Sequence, residues 1–207
     1  MEIKRTANAG VLLGLDGVSI LLDGICGEIK PYIKTPYAIA EELYNNLPNI
    51  VAFTHTHTDH FDKEFCSYFE EKKGQKAVWP RGDRVKSFGG VTVSSVPSRH
   101  IGRFEISHFS FIITGSKTAW FMGDASPVIL KSMNDFQRPD ILFVPFSYFS
   151  TESAVRLTKN VGAKHIVLLH MPKRENEGVA IWQTVEGFIK NEPNVIVLDI
   201  GETLILD

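Results

Sequence analysis

Cysteine is nearly absent: Cys26 and Cys66 are the only two in 207 residues, in unrelated contexts and without CxxC spacing. That scarcity excludes a disulfide framework and a thiolate zinc site, and it fits a reducing compartment. No apolar run approaches the roughly 20 residues a membrane helix requires, and the opening Met1-Glu2-Ile3-Lys4-Arg5-Thr6 lacks the apolar stretch of a secretion signal. A cytoplasmic protein is expected. An excess of charge is also missing: the net charge is -2 with histidine neutral, so there is no broad basic field to drive nucleic-acid binding, and nucleic acid is not an expected partner. Low-complexity segments, linkers and short repeats are lacking too, which predicts a single domain over residues 1–207. What is present, 43% hydrophobic and 22% charged residues, is the composition of a globular chain with a packed core.

Periodicity predicts the elements. Two apolar runs within residues 10–23, parted by Asp16-Gly17, read as a β-hairpin. Thr35-Pro36 followed by Ile39, Leu43 and Leu47 at helical spacing predicts a helix over 36–47. Ile50-Val51-Ala52-Phe53 is a short strand that ends abruptly in the polar stretch 54–62. A helix is expected over 61–73, closed by Gly74, and strands over 77–79, 91–96, 109–114 and 118–122, with β character already from Phe104. From Ser126 the signals alternate: helix to about Phe136, strand 141–146, helix 151–161, strand 165–169, helix 178–190, strands 195–199 and 203–206. Alternating strands and helices imply α/β layers.

The chemistry concentrates in Thr54-His55-Thr56-His57-Thr58-Asp59-His60, three imidazoles and one carboxylate within six residues. Imidazole nitrogen and carboxylate oxygen suit zinc and related divalent ions, and the lack of thiolates favours a catalytic over a closed structural site. His55 and His57 project to the same side of an extended chain and can hold one ion, while Asp59 and His60, past a bend, can serve a second. The bland alternative is a polar loop whose histidines face solvent; three histidines with an aspartate at a strand's end argue against it.

His-x-His-x-Asp-His, as it stands here from His55 to His60, resembles the signature of the metallo-β-lactamase-like hydrolases, and the resemblance extends over nearly the whole chain. It implies a four-layer αβ/βα sandwich of the α/β class, two sheets face to face with helices outside and metals at one edge. It also implies the remaining ligands. His100 after the strand 91–96 would complete the first set with His55 and His57. Asp124, in Phe121-Met122-Gly123-Asp124, would bridge both ions, and His170, after the strand 165–169, would join Asp59 and His60. The cofactors implied are two divalent ions, zinc first, with manganese or iron as alternatives. His108 and His165 are left over and read as structural.

Members of such a family cleave lactams, lactones, thioesters and phosphodiesters, so fold alone does not fix the substrate. The chain looks most like a compact subgroup related to ascorbate-phosphate lactonases, without the helical C-terminal region of glyoxalase II or the arm that grips tRNA. Arg99, Lys173 and Arg174, with Ser126, Ser147 and Tyr148, fall on loops expected near the ligands, where cations could hold a phosphate or carboxylate. Solvated surface charge is the plain alternative, and in an extended chain Arg99 points away from His100. Three readings stay open: a binuclear hydrolase of a small anionic ester or lactone, in which Asp59 also handles the proton; a phosphodiesterase or nuclease; and a metal-keeping sensor or binding protein. Whether the chain forms a homo-oligomer is left open.

Overall fold

A computed structural model describes residues 1–102, 106–133, 135–175 and 177–207. The chain opens with an antiparallel meander of β1 (Glu2–Arg5), β2 (Val11–Leu15) and β3 (Val18–Leu22). Asp16 and Gly17 both take positive φ, 52° and 77°, as a tight turn between twisted strands demands, so the hairpin lies where expected. Next come α1 (Tyr37–Asn45), β4 (Ile50–Ala52) and α2 (Lys63–Lys73). The Asp62 carboxylate accepts from the Phe65 amide at 2.8 Å and Gly74 adopts φ 62°, which fixes both ends of α2. Four strands follow: β5 (Val85–Phe88), β6 (Val91–Arg99), β7 (Ser107–Thr114) and β8 (Thr118–Phe121). The chain then alternates through β9 (Ile141–Pro145), α3 (Glu152–Asn160), β10 (His165–Leu169), α4 (Glu177–Ile189), β11 (Val195–Val197) and β12 (Thr203–Ile205).

Some expectations are corrected. The helix expected over 126–136 is a short 3-10 segment, Pro127–Lys131, with Asn134 outside the described residues. Residues 77–79 form no strand: only Val78 bridges to Ala52, because the chain turns at once through Trp79 and Gly82. β1 and β5 lie outside the expected elements. In β1 only Ile3 supplies an inward apolar side chain, and β5 is a largely exposed edge with no apolar face to betray it. Phe104 and Glu105 lie outside the described residues, and β7 starts at Ser107.

The strands form two sheets, of order β12-β1-β2-β3-β4 and β11-β10-β9-β8-β7-β6-β5. Period-two alternation divides their side chains among three cores. Val11, Leu13, Ile20 and Ala52 of the first sheet meet Phe111, Phe121, Phe143 and Val167 of the second. Leu21, Val51 and Phe53 face outward onto Ile39 and Leu43 of α1 and Phe65 and Phe69 of α2. Trp120, Leu142, Val144 and Leu168 face outward onto α3 and α4 through Ala154's neighbour Val155 and through Val185. The result is helix, sheet, sheet, helix. Each fully buried Val, Leu, Ile or Phe contributes about 1.5–3 kcal/mol, so these layers carry most of the stability.

Strand direction sets where the site must lie. β3 and β4 run parallel, as do β8, β9 and β10, and two antiparallel steps through β7 return β6 to the direction of β8. The C-terminal ends of β3 and β4 therefore share one edge of the first sheet, and those of β6, β8 and β10 one edge of the second. Among the described residues no helix is long and apolar enough to cross a membrane.

Candidate metal centre

Thr54, just past β4, is pinned on every side. Its amide and hydroxyl donate to Asp23 Oδ1 and Oδ2 at 2.7 and 2.6 Å, and its carbonyl accepts from the Phe109 amide of the other sheet at 2.9 Å. The Thr54 hydroxyl gives its one proton to Asp23, so at 2.9 Å from His55 Nδ1 it must accept. His55 is thereby protonated on Nδ1 and turns the Nε2 lone pair inward. His60 Nδ1 lies 2.8 Å from Asp23 Oδ2, and His100 Nδ1 bonds the Ile101 carbonyl. Both partners only accept, so these rings also present Nε2 to the centre.

A turn closes the motif: the His60 and Phe61 amides donate to the His57 carbonyl at 3.0 and 2.9 Å, which brings Asp59 and His60 back toward the sheet edge. His100 and Asp124 are tied together, since the Ile101 amide donates to the Asp124 carbonyl at 2.7 Å and His100 bridges Ala125. Gly123 makes this approach feasible: it holds φ 54°, and a Cβ there would stand 2.6 Å from Thr54 Cγ2. His170 follows β10 with φ 60°, its amide donating to the Asn8 carbonyl at 3.1 Å, and Asp23 holds φ 46°. Of the three non-glycine residues with positive φ among the described residues, Asp23 and His170 sit at the centre and Asp16 in the hairpin turn, each costing about 1–3 kcal/mol.

Every candidate metal ligand from the sequence comes to this edge. His55, His57 and His100 form one donor group, and Asp59, His60 and His170 another, with donor atoms within 4.8 Å of one another in each. Asp124 Oδ2 lies between the groups, 3.4 Å from His60 Nε2 and 3.6 Å from the Nε2 atoms of His100 and His170. Asp59 Oδ2 stands 3.2 Å from His170 Nε2 and 3.8 Å from His60 Nε2. Donors held about 2.0–2.1 Å from one tetrahedral ion stand about 3.3 Å apart, so this spacing fits shared ions. Nε2 of His55, His60, His100 and His170 is buried without a hydrogen-bond partner, an arrangement that costs free energy unless a ligand accepts these lone pairs. A further grouping, Asp23 with His55 and His60, does not make a third site, because both Asp23 oxygens are already engaged by Thr54 and by His60 Nδ1.

Burial pushes His55 far below the usual imidazole range. Burial also works against charge on Asp124 and His60, but His170 and then His60 override it to hold the Asp124 carboxyl well down, and Asp124 and then Asp23 hold the His60 ring well up. For Asp59, burial is likewise outweighed by His170 and His60, which hold its carboxyl down.

The expected substrate residues scatter. Lys173 and Arg174 line a cleft of about 530 Å³ that meets the centre at Tyr32, whose ring stands edge-on to His170 at 4.2 Å, and at Met171. Arg174 is engaged there, stacked over Trp182 and paired with Glu186. Arg99 is exposed and not among the residues lining this cleft. Tyr148 is wholly enclosed in the outer core, so the structure does not bring it to the cleft, and Ser147 Oγ is buried as well. Ser126 starts the 3-10 segment. Conversely, Tyr32, Asn8 and Arg5 line the cleft without any signal in the sequence. The Arg5 guanidinium donates to the Ala7, Asn8 and Leu198 carbonyls, and burial lowers its pKa to about 10. His108, read as structural, also reaches the centre: its Nε2 accepts from the Asp124 amide at 3.0 Å.

No family model and no curated protein matches the chain. Solved structures do. A possible metal-dependent hydrolase from Veillonella parvula superposes with a TM-score of 0.73 at 17% identity, over 100% of this chain and 99% of that one. An isothiocyanate hydrolase from Delia radicum gut bacteria gives 0.69 at 17% identity, with 99% of each chain covered. The metallo-β-lactamase fold protein YhfI from Bacillus subtilis gives 0.62 at 16% identity, again over 99% of each chain.

Proposed function

From the premise that this chain has the metallo-β-lactamase fold, we propose that it is a hydrolase dependent on two divalent metal ions, zinc first, acting on a small anionic ester or lactone. The observation that carries this reading is the set of four buried, unpartnered Nε2 atoms, three of which lie within 3.6 Å of Asp124 Oδ2. His55, His57 and His100 would hold one ion, Asp59, His60 and His170 the other, and Asp124 would touch both. Two such ions, when bound, make hydroxide available near neutral pH and polarise the scissile carbonyl. Asp23, Thr54 and the Ile101 carbonyl hold the rings so that Nε2 faces inward, as acceptors on the far nitrogen do in metal sites generally. Asp59 commits Oδ2, 3.2 Å from His170 Nε2, to the ligand set, which leaves Oδ1 to orient the attacking water and take its proton.

The substrate body would lie in the cleft beside His170. Its volume of about 530 Å³ falls in the usual range of small-molecule sites, and Trp182, Ile33, Met171 and Ile200 give it apolar walls. Lys173 is the freer cation at its rim, 3.9 Å from Glu175 and largely exposed, whereas Arg174 already has two partners. Lys173→Ala should raise KM for an anionic substrate about threefold to tenfold, an exposed contact being worth about 1 kcal/mol, while Arg174→Ala leaves it unchanged. The test is a panel of chromogenic esters, lactones and bis-phosphodiesters with zinc, manganese or cobalt, followed by kinetics of both variants. Turnover of the phosphodiesters alone would overturn the ester reading, and an unchanged KM in Lys173→Ala would remove the anion contact.

A further inference from the structure

We infer that His108 is a positioning residue that fixes the main chain of Asp124, so that one carboxylate serves both metal ions. The inference rests on the metal-hydrolase reading only in that the centre must take up metal. His108 differs from the four histidines with unpartnered Nε2. Its ring lies close to theirs, with centroids 5.0 Å from His55 and 5.7 Å from His100, yet both of its nitrogens are occupied. Nε2 stands 3.0 Å from the Asp124 amide, a group that can only donate, so Nε2 must be the acceptor and the proton must sit on Nδ1.

The direction of the remaining bonds follows. Nδ1–H points to Ser98 Oγ at 2.7 Å. Ser110 Oγ lies 3.1 Å from both Ser98 Oγ and the Met122 carbonyl. The Ser110 hydroxyl faces both as donor and shares its one proton between the Met122 carbonyl and Ser98 Oγ. The chain from Asp124 N–H through His108, Ser98 and Ser110 returns to Met122, two residues before Asp124, and closes a ring of bonds around the turn at Gly123. The turn is pinned on its other side by the Ile101 amide on the Asp124 carbonyl at 2.7 Å. Both peptide groups of Asp124 are thus held, one from the His100 loop and one by His108. Loss of the His108 contact frees the carboxylate from both donor groups at once, unlike loss of a ligand belonging to one.

The test is titration of the metal-free full-length chain with zinc against a chromogenic chelator, for wild type, His108→Leu and His108→Gln. Leu fills the space without an acceptor; Gln can place Oε1 where Nε2 stood. His108→Leu should weaken both ions about 10- to 100-fold, the range for groups that orient ligands, and His108→Gln should stay within about threefold of wild type. A role in packing alone predicts the reverse order. Should His108→Leu fail to fold, the wild-type imidazole ¹H–¹⁵N spectrum decides: a proton on Nδ1 supports the inference, and one on Nε2 overturns it. Two ions bound equally tightly by wild type and His108→Leu overturn this inference alone. A wild-type chain that takes up no metal overturns the hydrolase reading and this inference together.

Discussion

Asp124→Ala should purify and reconstitute with far less than one metal ion per chain, while His170→Ala retains about one. Asp124 Oδ2 lies within 3.6 Å of Nε2 atoms from both donor groups, so on the two-ion reading its loss would take a donor from each ion. His170 belongs only to the group with Asp59 and His60. Turnover of any substrate found by the panel should fall about a thousandfold or more in Asp124→Ala, at or beyond the roughly 10²–10³ caused by deleting one oxyanion donor, because both ions are weakened together. Elemental analysis of the two variants in parallel, with steady-state kinetics, makes the comparison. Equal occupancy in the two variants would contradict the division of ligands.

Asp23→Ala should have the largest effect on stability, lowering it by about 3–5 kcal/mol in urea unfolding of the metal-free chain. The carboxylate is fully buried and accepts from Thr54 N, Thr54 Oγ1 and His60 Nδ1, at 2.6 to 2.8 Å. Alanine leaves three buried donors without an acceptor, at about 1–3 kcal/mol each. Burial itself pushes the Asp23 carboxyl up, against the hydrogen bonds from His60 and Thr54, so removing a buried charge offsets part of the loss. Metal affinity should drop as well, since His60 loses the anchor that turns Nε2 inward and the Thr54 hydroxyl that orients His55 loses its own acceptor. Unchanged stability in Asp23→Ala would mean that the rings orient themselves without it.

The candidate ligands within residues 54–60 are legible because they are contiguous and follow a short apolar strand, so a local pattern suffices. His100, Asp124 and His170 stand alone in sequence; only the family resemblance gathers them, and the parallel strands that bring them to one edge explain why it can. Alternation along β7 to β10 separates inner from outer core cleanly, whereas β1 and β5, at or near sheet edges, carry too few buried side chains to print that pattern. His108 was illegible for a different reason. Its meaning depends on the register that sets Ser98 opposite it and on a backbone amide just past the end of the neighbouring strand β8, neither of which a linear pattern encodes. The same holds for Tyr32 and Asn8, which reach the cleft from loops. Tyr148 shows the converse: proximity in sequence to a strand end does not say which face a side chain takes, and its ring is enclosed in the outer core rather than lining the cleft.

The most direct test of the centre is metal counting on the wild-type chain. After removal of bound metal, reconstitution with zinc and passage through a desalting column, elemental analysis should find close to two ions per chain, with tenfold weaker binding of calcium or magnesium, whose oxygen preference the histidine-rich donor set does not meet. A chain that returns from the same treatment with no bound metal would contradict the assignment of all seven ligands.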